Sequence, residues 1–353
     1  MKKTLFTILA VAALAACAKE EVVTVNQDAI AFTNAFVDNT TKAIDPSITT
    51  TTLDGFTVYG TTKGNESGAP VVNIYPAVPV TGSVTTVDDD GNATAGSWSY
   101  DNQYTQYWIA GNTYNFAAVK NSAVTPDTDT PGTVTTDGNG MPKSIAYDAA
   151  GQADLLYAEA VNIEGKASGN DAVAFTFSHL LSKVKFSFKN NSAATTNPNY
   201  TYKVTDIEIS GVGLTASCDV TNFPTYVWGT PATSYAADAP LTFGDIVADG
   251  VAANEAAVKV GSQVTKLSNY ERLLIPGNYT AMNVKACIAL LYGDAEVDVL
   301  NYDKNVSVNL EGGNAYNFVL SGSVGESIEF TVTKVEEWVE NAAQYTENPA
   351  QNN

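Results

Sequence analysis

The residue types that most often do chemistry in proteins are scarce in this sequence. His179 is the only histidine and Arg272 the only arginine among 353 residues, and there are three cysteines. Hydrolases with a serine or cysteine nucleophile usually need a histidine base, and zinc sites usually need several nitrogen or sulfur ligands. His179 is in phase with Phe175 and Phe177, so we expect it to point inward and to bond a buried polar group. The sequence therefore predicts a protein that is not an enzyme and that needs no metal or cofactor.

Acidic residues dominate the charge of the chain. Residues 88–90 and 127–137 contain clustered carboxylates, the ligands that calcium prefers, but neither stretch has a complete calcium-loop signature, and we interpret both as solvated turns. The net charge is −20, with 18 Lys and Arg against 38 Asp and Glu. Phosphate binding needs clusters of basic side chains, so this charge excludes nucleic acid as the main partner.

The first 17 residues have the pattern of a bacterial export signal. Lys2 and Lys3 precede an apolar stretch at residues 5–13, and Leu14-Ala15-Ala16-Cys17 follows. Small residues before a cysteine resemble the lipobox of a lipoprotein, which predicts cleavage after residue 16 and lipidation of Cys17. The alternative interpretation is an ordinary signal peptide with an incidental cysteine.

The two remaining cysteines, Cys218 and Cys287, have no neighbouring histidine and no C-x-x-C spacing. This argues against a metal or redox site. In an oxidising compartment the two residues could form a disulfide, or each could be a separate small apolar residue. The sequence leaves both alternatives open.

The elements that must position these residues follow period-two patterns, which are typical of β-strands. Val184, Phe186 and Phe188 alternate with lysines and a serine, which predicts a strand with an apolar and a charged face. Residues 306–310 and 316–320 also alternate, and the two glycines between them predict a tight hairpin. No long segment has a 3.6-residue period. We therefore expect an all-β fold of antiparallel sandwiches with little helix.

The length of the chain predicts two tandem domains, because the residues that follow the leader are too many for one sandwich. A boundary near residues 165–169 separates strand-rich halves of similar size. The predicted division is a signal peptide at residues 1–16, an acylated tether at 17–28, an N-terminal β-sandwich at 29–168, a C-terminal β-sandwich at 169–340 and a polar tail at 341–353.

Nine short segments, in order along the chain, carry a family resemblance. They are Leu53–Gly60, Trp98–Tyr100, Tyr107–Trp108, Tyr114–Phe116, Asp154–Ala158, Phe175–Val184, Leu274–Pro276, Gly312–Tyr316 and Val335–Trp338. Behind a lipobox, this series resembles the fimbrillin family, specifically its Mfa-like branch of type V pilus subunits. The resemblance implies two transthyretin-like sandwiches and a subunit exported as an outer-membrane lipoprotein to the cell surface. It also implies adhesion to a host or bacterial surface ligand through the pilus.

The resemblance further implies an assembly mechanism. A protease cuts the loop after the first strand, that strand leaves with its lipid, and a strand from another fimbrillin subunit fills the vacated groove by β-strand addition. In this chain the removable strand would be residues 29–37, and its Ile30, Phe32 and Phe36 would plug the groove.

The processing site and the donor strand depart from the family pattern. The cut would fall between Lys42 and Ala43, where the family often has an arginine, or else Lys42 is merely a surface lysine and the lipid stays on. The tail after Trp338 hardly alternates and contains Pro349, which disfavours strand pairing. A tip, accessory or anchoring subunit is therefore as consistent with the sequence as a stalk subunit, and the strand ending near Val332 is an alternative donor.

A cluster of aromatic residues supports a second hypothesis. It consists of Trp98, Tyr100, Tyr104, Tyr107 and Trp108. Exposed coplanar rings could stack on sugars, which would indicate a surface glycan-binding lipoprotein. Buried rings would instead indicate core packing, so the exposure of these side chains discriminates between the two hypotheses.

Overall fold

The computed structural model describes residues 25–37, 55–83, 97–121, 133–192, 199–252, 268 and 270–335. These residues form 22 β-strands and two 3-10 helices of three residues each, which confirms the predicted all-β class with little helix. Within this part of the chain, no helix has the length and apolar character needed to cross a membrane. Cys17, Lys42 and Ala43 lie outside the described residues.

The strands are numbered in chain order. They are Val25–Ala29 (β1), Phe32–Val37 (β2), Gly55–Lys63 (β3), Val71–Ser83 (β4), Ser97–Ser99 (β5), Tyr107–Ile109 (β6), Thr113–Asn121 (β7), Val134–Thr136 (β8), Pro142–Asp148 (β9), Leu155–Glu164 (β10), Val173–His179 (β11), Ser182–Asn190 (β12), Tyr200–Ser210 (β13), Gly213–Asn222 (β14), Thr225–Trp228 (β15), Thr233–Ser234 (β16), Leu241–Ala252 (β17), Arg272–Leu274 (β18), Gly277–Tyr292 (β19), Ala295–Leu310 (β20), Ala315–Gly322 (β21) and Glu329–Val335 (β22).

A seven-stranded sheet organises the N-terminal half. Its order is β2-β11-β10-β7-β3-β4-β5, and β1 pairs separately with β6. The first core, which includes Phe56, Phe116 and Phe175, is formed by side chains from strands along this sheet. Neighbouring strands are antiparallel except β2 and β11, which run parallel. The predicted antiparallel arrangement therefore has an exception at this edge, because side-chain alternation indicates burial and carries no information about strand direction.

Two four-stranded sheets, β18-β12-β21-β22 and β17-β13-β19-β20, enclose a second core in the C-terminal half. The Phe186 ring lies 4.7 Å from that of Phe243 and 5.3 Å from that of Phe318, measured between centroids. The lysine face of the central strand β12 is less exposed to solvent than predicted, because Lys183 is buried. Its Nζ lies 3.6 Å from a carboxylate oxygen of Glu271, and this opposite charge makes burial of the ammonium tolerable.

A five-stranded sheet joins the two halves. Strands β8 and β9 come from the first half, and β14, β15 and β16 come from the second. They build a third core that combines Tyr147 and Tyr157 with Cys218 and Ile275. Because β11 belongs to the seven-stranded sheet and β12 to a four-stranded one, we propose that the division between halves lies at residues 180–181, later in the chain than residues 165–169.

The predicted hairpin at residues 311–314 is wrong, because the strands on either side of these residues do not pair with each other. β20 ends at Leu310 and pairs with β19, whereas β21 begins at Ala315 and pairs with β12 and β22. The connection therefore crosses from one sheet of the sandwich to the other, so that both strands cover the second core from opposite sides. Gly313 still needs its positive φ of 72°, which permits the sharp change of direction.

Gln152, which lies between the two halves, makes hydrogen bonds that the sequence does not predict. Gln152, in the left-handed region with φ of 49°, places its amide against the backbone of β18. Its Oε1 accepts from the Leu273 N–H at 2.8 Å, and its Nε2 donates to the Leu273 carbonyl at 3.1 Å. This pair of hydrogen bonds extends β18 as a strand would and ties the two halves together.

Both cysteines that the structure describes are free. Cys218 is fully buried in the third core, and its burial raises the pKa of its thiol to about 12. Cys287 is half-buried on β19. Of the two alternatives left open by the sequence, the structure has separate small apolar residues rather than a disulfide.

Buried tyrosines predict a loss of stability at high pH. Burial raises the pKa of Tyr59 to about 12, and it also raises the pKa values of Tyr147 and Tyr157. In the unfolded chain these phenols ionise near pH 10, so the folded state keeps protons that the unfolded state loses. Their contribution to stability is therefore complete below about pH 10 and is lost as the pH rises toward the folded-state pKa values.

Urea unfolding at a series of pH values from about 8 to 11.5 measures this effect. We expect the midpoint to be flat up to about pH 9.5 and to fall above it. Tyr59→Phe should weaken the fall, whereas the control Tyr270→Phe, at a side chain that is 51% exposed, should leave it unchanged. A midpoint that stays constant to pH 11.5 would contradict the prediction.

Candidate functional site

Residues 29–37, called the plug segment below, enter the first core. Ile30 is fully buried and Phe32 is only 4% exposed. The segment is not the single strand that the sequence predicts, since β1 ends at Ala29 and β2 begins at Phe32. β1 also starts at Val25, within the stretch predicted as a tether. The break occurs because the two strands have different partners, β6 for β1 and β11 for β2.

Hydrogen bonds hold the backbone of the plug segment on both sides of this break. The Ile30 N–H donates to the Gln106 carbonyl at 2.8 Å, and the Ala31 carbonyl accepts from the Val173 N–H at 2.8 Å. The Tyr100 hydroxyl donates to the Ile30 carbonyl. Both backbone polar groups of the buried residue Ile30 are therefore satisfied, as burial requires.

Four aromatic rings surround the Phe32 side chain. Its centroid lies 5.6 Å from those of Tyr75 and Tyr100, 5.8 Å from that of Phe175 and 6.0 Å from that of Phe116. These are the distances of favourable ring pairs. Burial raises the pKa values of Tyr75 and Tyr100, which keeps both hydroxyls neutral hydrogen-bond donors. The enclosure is therefore suited to a large apolar side chain at this position.

The plug segment continues along β11 to its end. Phe36, the third predicted plug residue, pairs through its backbone with Thr176, and Val37 pairs with Phe177. β2 and β5 are the two edge strands of the seven-stranded sheet and lie next to each other. Removal of the plug segment would therefore open a space between β11 and β5, called the slot below.

The aromatic cluster at residues 98–108 mostly packs inward. Trp98 and Trp108 are buried, with Trp98 5.0 Å from Phe56 and Trp108 4.7 Å from Tyr114. Tyr107 is 47% exposed, and the two remaining tyrosines are half-buried against the first core. These five rings do not form an exposed coplanar platform, so their placement favours core packing over sugar stacking.

His179 has the inward position that its phase predicts. Its Nδ1 lies 2.5 Å from a carboxylate oxygen of Asp154, and both side chains are buried. The other oxygen of Asp154 accepts from the Leu155 N–H at 2.8 Å. The pair therefore joins the end of β11 to the start of β10 and gives His179 the buried polar partner that its phase predicts.

The acidic turns have a local explanation where the structure describes them. Asp137 accepts hydrogen bonds from the N–H groups of Asn139 and Met141, at 2.8 and 2.9 Å, and so closes its own loop. Residues 88–90 and 127–132 lie outside the described residues. Across the described ranges, no three His, Cys, Asp or Glu side chains come together as a metal site.

Two solved structures and one family model are similar to this chain. A fimbrial protein from Bacteroides vulgatus is 16% identical, with 88% of this chain and 99% of that chain covered and a TM-score of 0.58, which shows a shared fold. A fimbrial assembly protein from Parabacteroides distasonis is 13% identical, with 88% and 97% covered and a TM-score of 0.44. A comparison with curated proteins finds no match. The model of the fimbrillin-like family matches residues 33–338, which is most of the chain, and the chain therefore belongs to the fimbrillin-like family.

Proposed function

We propose that this chain is a pilus subunit that assembles by exchanging its N-terminal strand for a strand of a neighbouring subunit. Membership of the fimbrillin-like family supports the role in a cell-surface fibre. The observation that carries the exchange mechanism is the burial of Ile30 and Phe32 in a slot between two sheet edges. Adhesion would follow from the pilus that the subunit joins, with a host or bacterial surface molecule as the ligand.

The physical argument starts from the empty slot. Without the plug segment, the edge of β11 would present unpaired N–H and C=O groups beside four aromatic side chains in contact with water. Both features are unfavourable, and a strand from another molecule removes both at once. The subunit is thus stable when the slot is filled, and an emptied slot would bind another strand favourably. Strand exchange requires both properties.

The edge strand β22 is the donor that we propose. Residues 327–335 read SIEFTVTKV and residues 29–37 read AIAFTNAFV, so that Ile, Phe, Thr and the final Val occur at the same places. Within the described strands, β22 pairs with β21 on one side and has no partner on the other. Phe330 is half-buried beside Phe318, at 5.5 Å between centroids. In the slot of a neighbour the same ring would be enclosed as fully as Phe32 is.

Export and processing complete the proposal. Lipid on Cys17 would hold the precursor at the outer membrane until a protease that accepts lysine cuts between Lys42 and Ala43. The released piece would contain the lipid and the plug segment together, so that one cut both frees the subunit from the membrane and opens the slot. The lipobox pattern at residues 14–17 supports this order of events.

Lys42→Ala is expected to retain the lipidated precursor and to abolish fibre formation, because the plug segment cannot leave. N-terminal mass analysis of protein sheared from cells measures the outcome, and wild-type fibres should begin at Ala43. The matched control is Lys63→Ala, at an exposed lysine, which should assemble normally. Unchanged fibres in the Lys42 variant would remove this residue from the mechanism, and assembled protein that still begins at Cys17 would refute the processing step.

A further inference from the structure

The indole of Trp98 has an unmet hydrogen bond. Its side chain is nine-tenths buried, and no described residue accepts a hydrogen bond from its Nε1–H. Burying a donor without an acceptor is unfavourable, and native structures seldom retain such a group without a reason. Trp228 offers a contrast, since its Nε1–H donates to the Leu180 carbonyl at 2.8 Å.

Trp98 lies at the end of the slot where β2 ends. Its ring contacts Phe56, and Phe56 in turn lies 5.4 Å from Phe177. Phe177 is the residue of β11 that pairs with Val37, the last residue of the plug segment. The unmet N–H therefore belongs to the same apolar core as Ile30 and Phe32, next to the strand that is to be exchanged.

The neighbouring backbone is also incompletely paired. β5 pairs with β4, where Trp98 lies opposite Gly82, and β2 pairs with β11. Although β2 and β5 are adjacent, no ladder joins them among the described strands. The plug segment thus fills the apolar part of the slot and accepts a hydrogen bond from the Tyr100 hydroxyl, but among the described strands it forms no backbone ladder with β5.

We propose that Trp98 donates its indole N–H to a backbone carbonyl of the strand that replaces the plug segment. The ligand is therefore the main chain of an extended peptide. Trp98 recognises the backbone of the incoming strand and not a particular side chain. This inference rests on the strand exchange proposed above. It gives the exchange a direction, because the N–H is unmet in the precursor and satisfied in the assembled subunit.

The test uses a synthetic peptide of residues 327–335 and the full chain with Cys17→Ser and a site-specific protease sequence in place of residues 39–43. The protein is folded intact and then cut, and binding of the labelled peptide is measured by fluorescence polarisation. Trp98 is replaced by 3-benzothienylalanine, which keeps the bicyclic shape and lacks the N–H. We expect peptide affinity to fall about tenfold. The melting temperature of the uncut chain should rise, because an unmet buried donor has been removed.

Replacement of Trp228 by the same amino acid is the matched control. Its N–H already has an acceptor, so the melting temperature should fall while peptide affinity stays unchanged. Equal peptide affinity with and without the Trp98 N–H would overturn the inference and leave strand exchange intact. Failure of the peptide to bind the cut wild-type chain at all would overturn the proposed function, and the inference with it.

Discussion

Replacing Phe32 by alanine should lower the free energy of unfolding of the precursor by about 3–5 kcal/mol, the range for truncating a buried phenylalanine. The side chain is enclosed by four aromatic rings, and the surrounding strands cannot collapse onto the space because each is held in a ladder. Guanidinium unfolding of the full chain, followed by circular dichroism, measures the change. The effect should appear in the transition of the N-terminal half if the two halves unfold separately.

The control for this measurement is Val72→Ala, because Val72 is 50% exposed on β4 of the same sheet. We expect a change within about 0.5 kcal/mol at this position. A loss of less than 1 kcal/mol for Phe32→Ala would mean that the first core is complete without the plug segment. Strand exchange would then lack its physical basis, since an emptied slot would no longer be unfavourable.

The core positions of the plug segment follow from the sequence, but the partners of its strands do not. Alternation of Ile30 and Phe32 predicts that both are buried, and they are. The same pattern does not predict which strand lies beside each residue, because a period of two identifies the buried face of a strand and not the strands that pair with it. The parallel pairing of β2 with β11, across some 140 residues of chain, is therefore a property of the assembled sheet.

The errors at residues 183 and 311–314 have related causes. Lys183 looks like a surface lysine until Glu271, far along the chain, is placed beside it. The two glycines before Asn314 permit a tight turn, and local sequence cannot distinguish a hairpin from a crossover between sheets. Gln152 gives no local signal at all, since its role depends on the backbone of β18. In each case a contact distant in sequence decides the structure.

The proposed donor strand and the Trp98 N–H differ in how far the sequence alone predicts them. The similarity of residues 327–335 to residues 29–37 is visible in the sequence. Comparing the plug segment with the rest of the chain would find it. The Trp98 N–H, which has no acceptor among the described residues, could not be predicted, because the partners of a buried polar group follow from contacts distant in sequence. The proposed donor can thus be found from the sequence pattern. The proposed energetic preference for exchange can be inferred only from the three-dimensional structure.

Truncating Phe330 to alanine in the peptide of residues 327–335 should weaken its binding to the cut chain about 100-fold. Moving a phenylalanine from water into the slot is worth about 3 kcal/mol, and a factor of ten corresponds to about 1.4 kcal/mol. A peptide is preferable to the full-length variant because Phe330 also packs against Phe186 and Phe318 in its own subunit. Fluorescence polarisation with the cut, Cys17→Ser chain gives the dissociation constants directly.

The matched peptide control is Glu329→Ala. Glu329 aligns with Ala31, which is exposed in the plug segment, so this change makes the peptide more like the strand that it replaces and should alter affinity less than threefold. The contrast between adjacent positions separates binding in the slot from non-specific adhesion of an apolar peptide, in which total hydrophobicity rather than register sets affinity. Equal losses at residues 329 and 330 would therefore exclude β22 as the donor, and another segment with the same alternation would have to fill the slot.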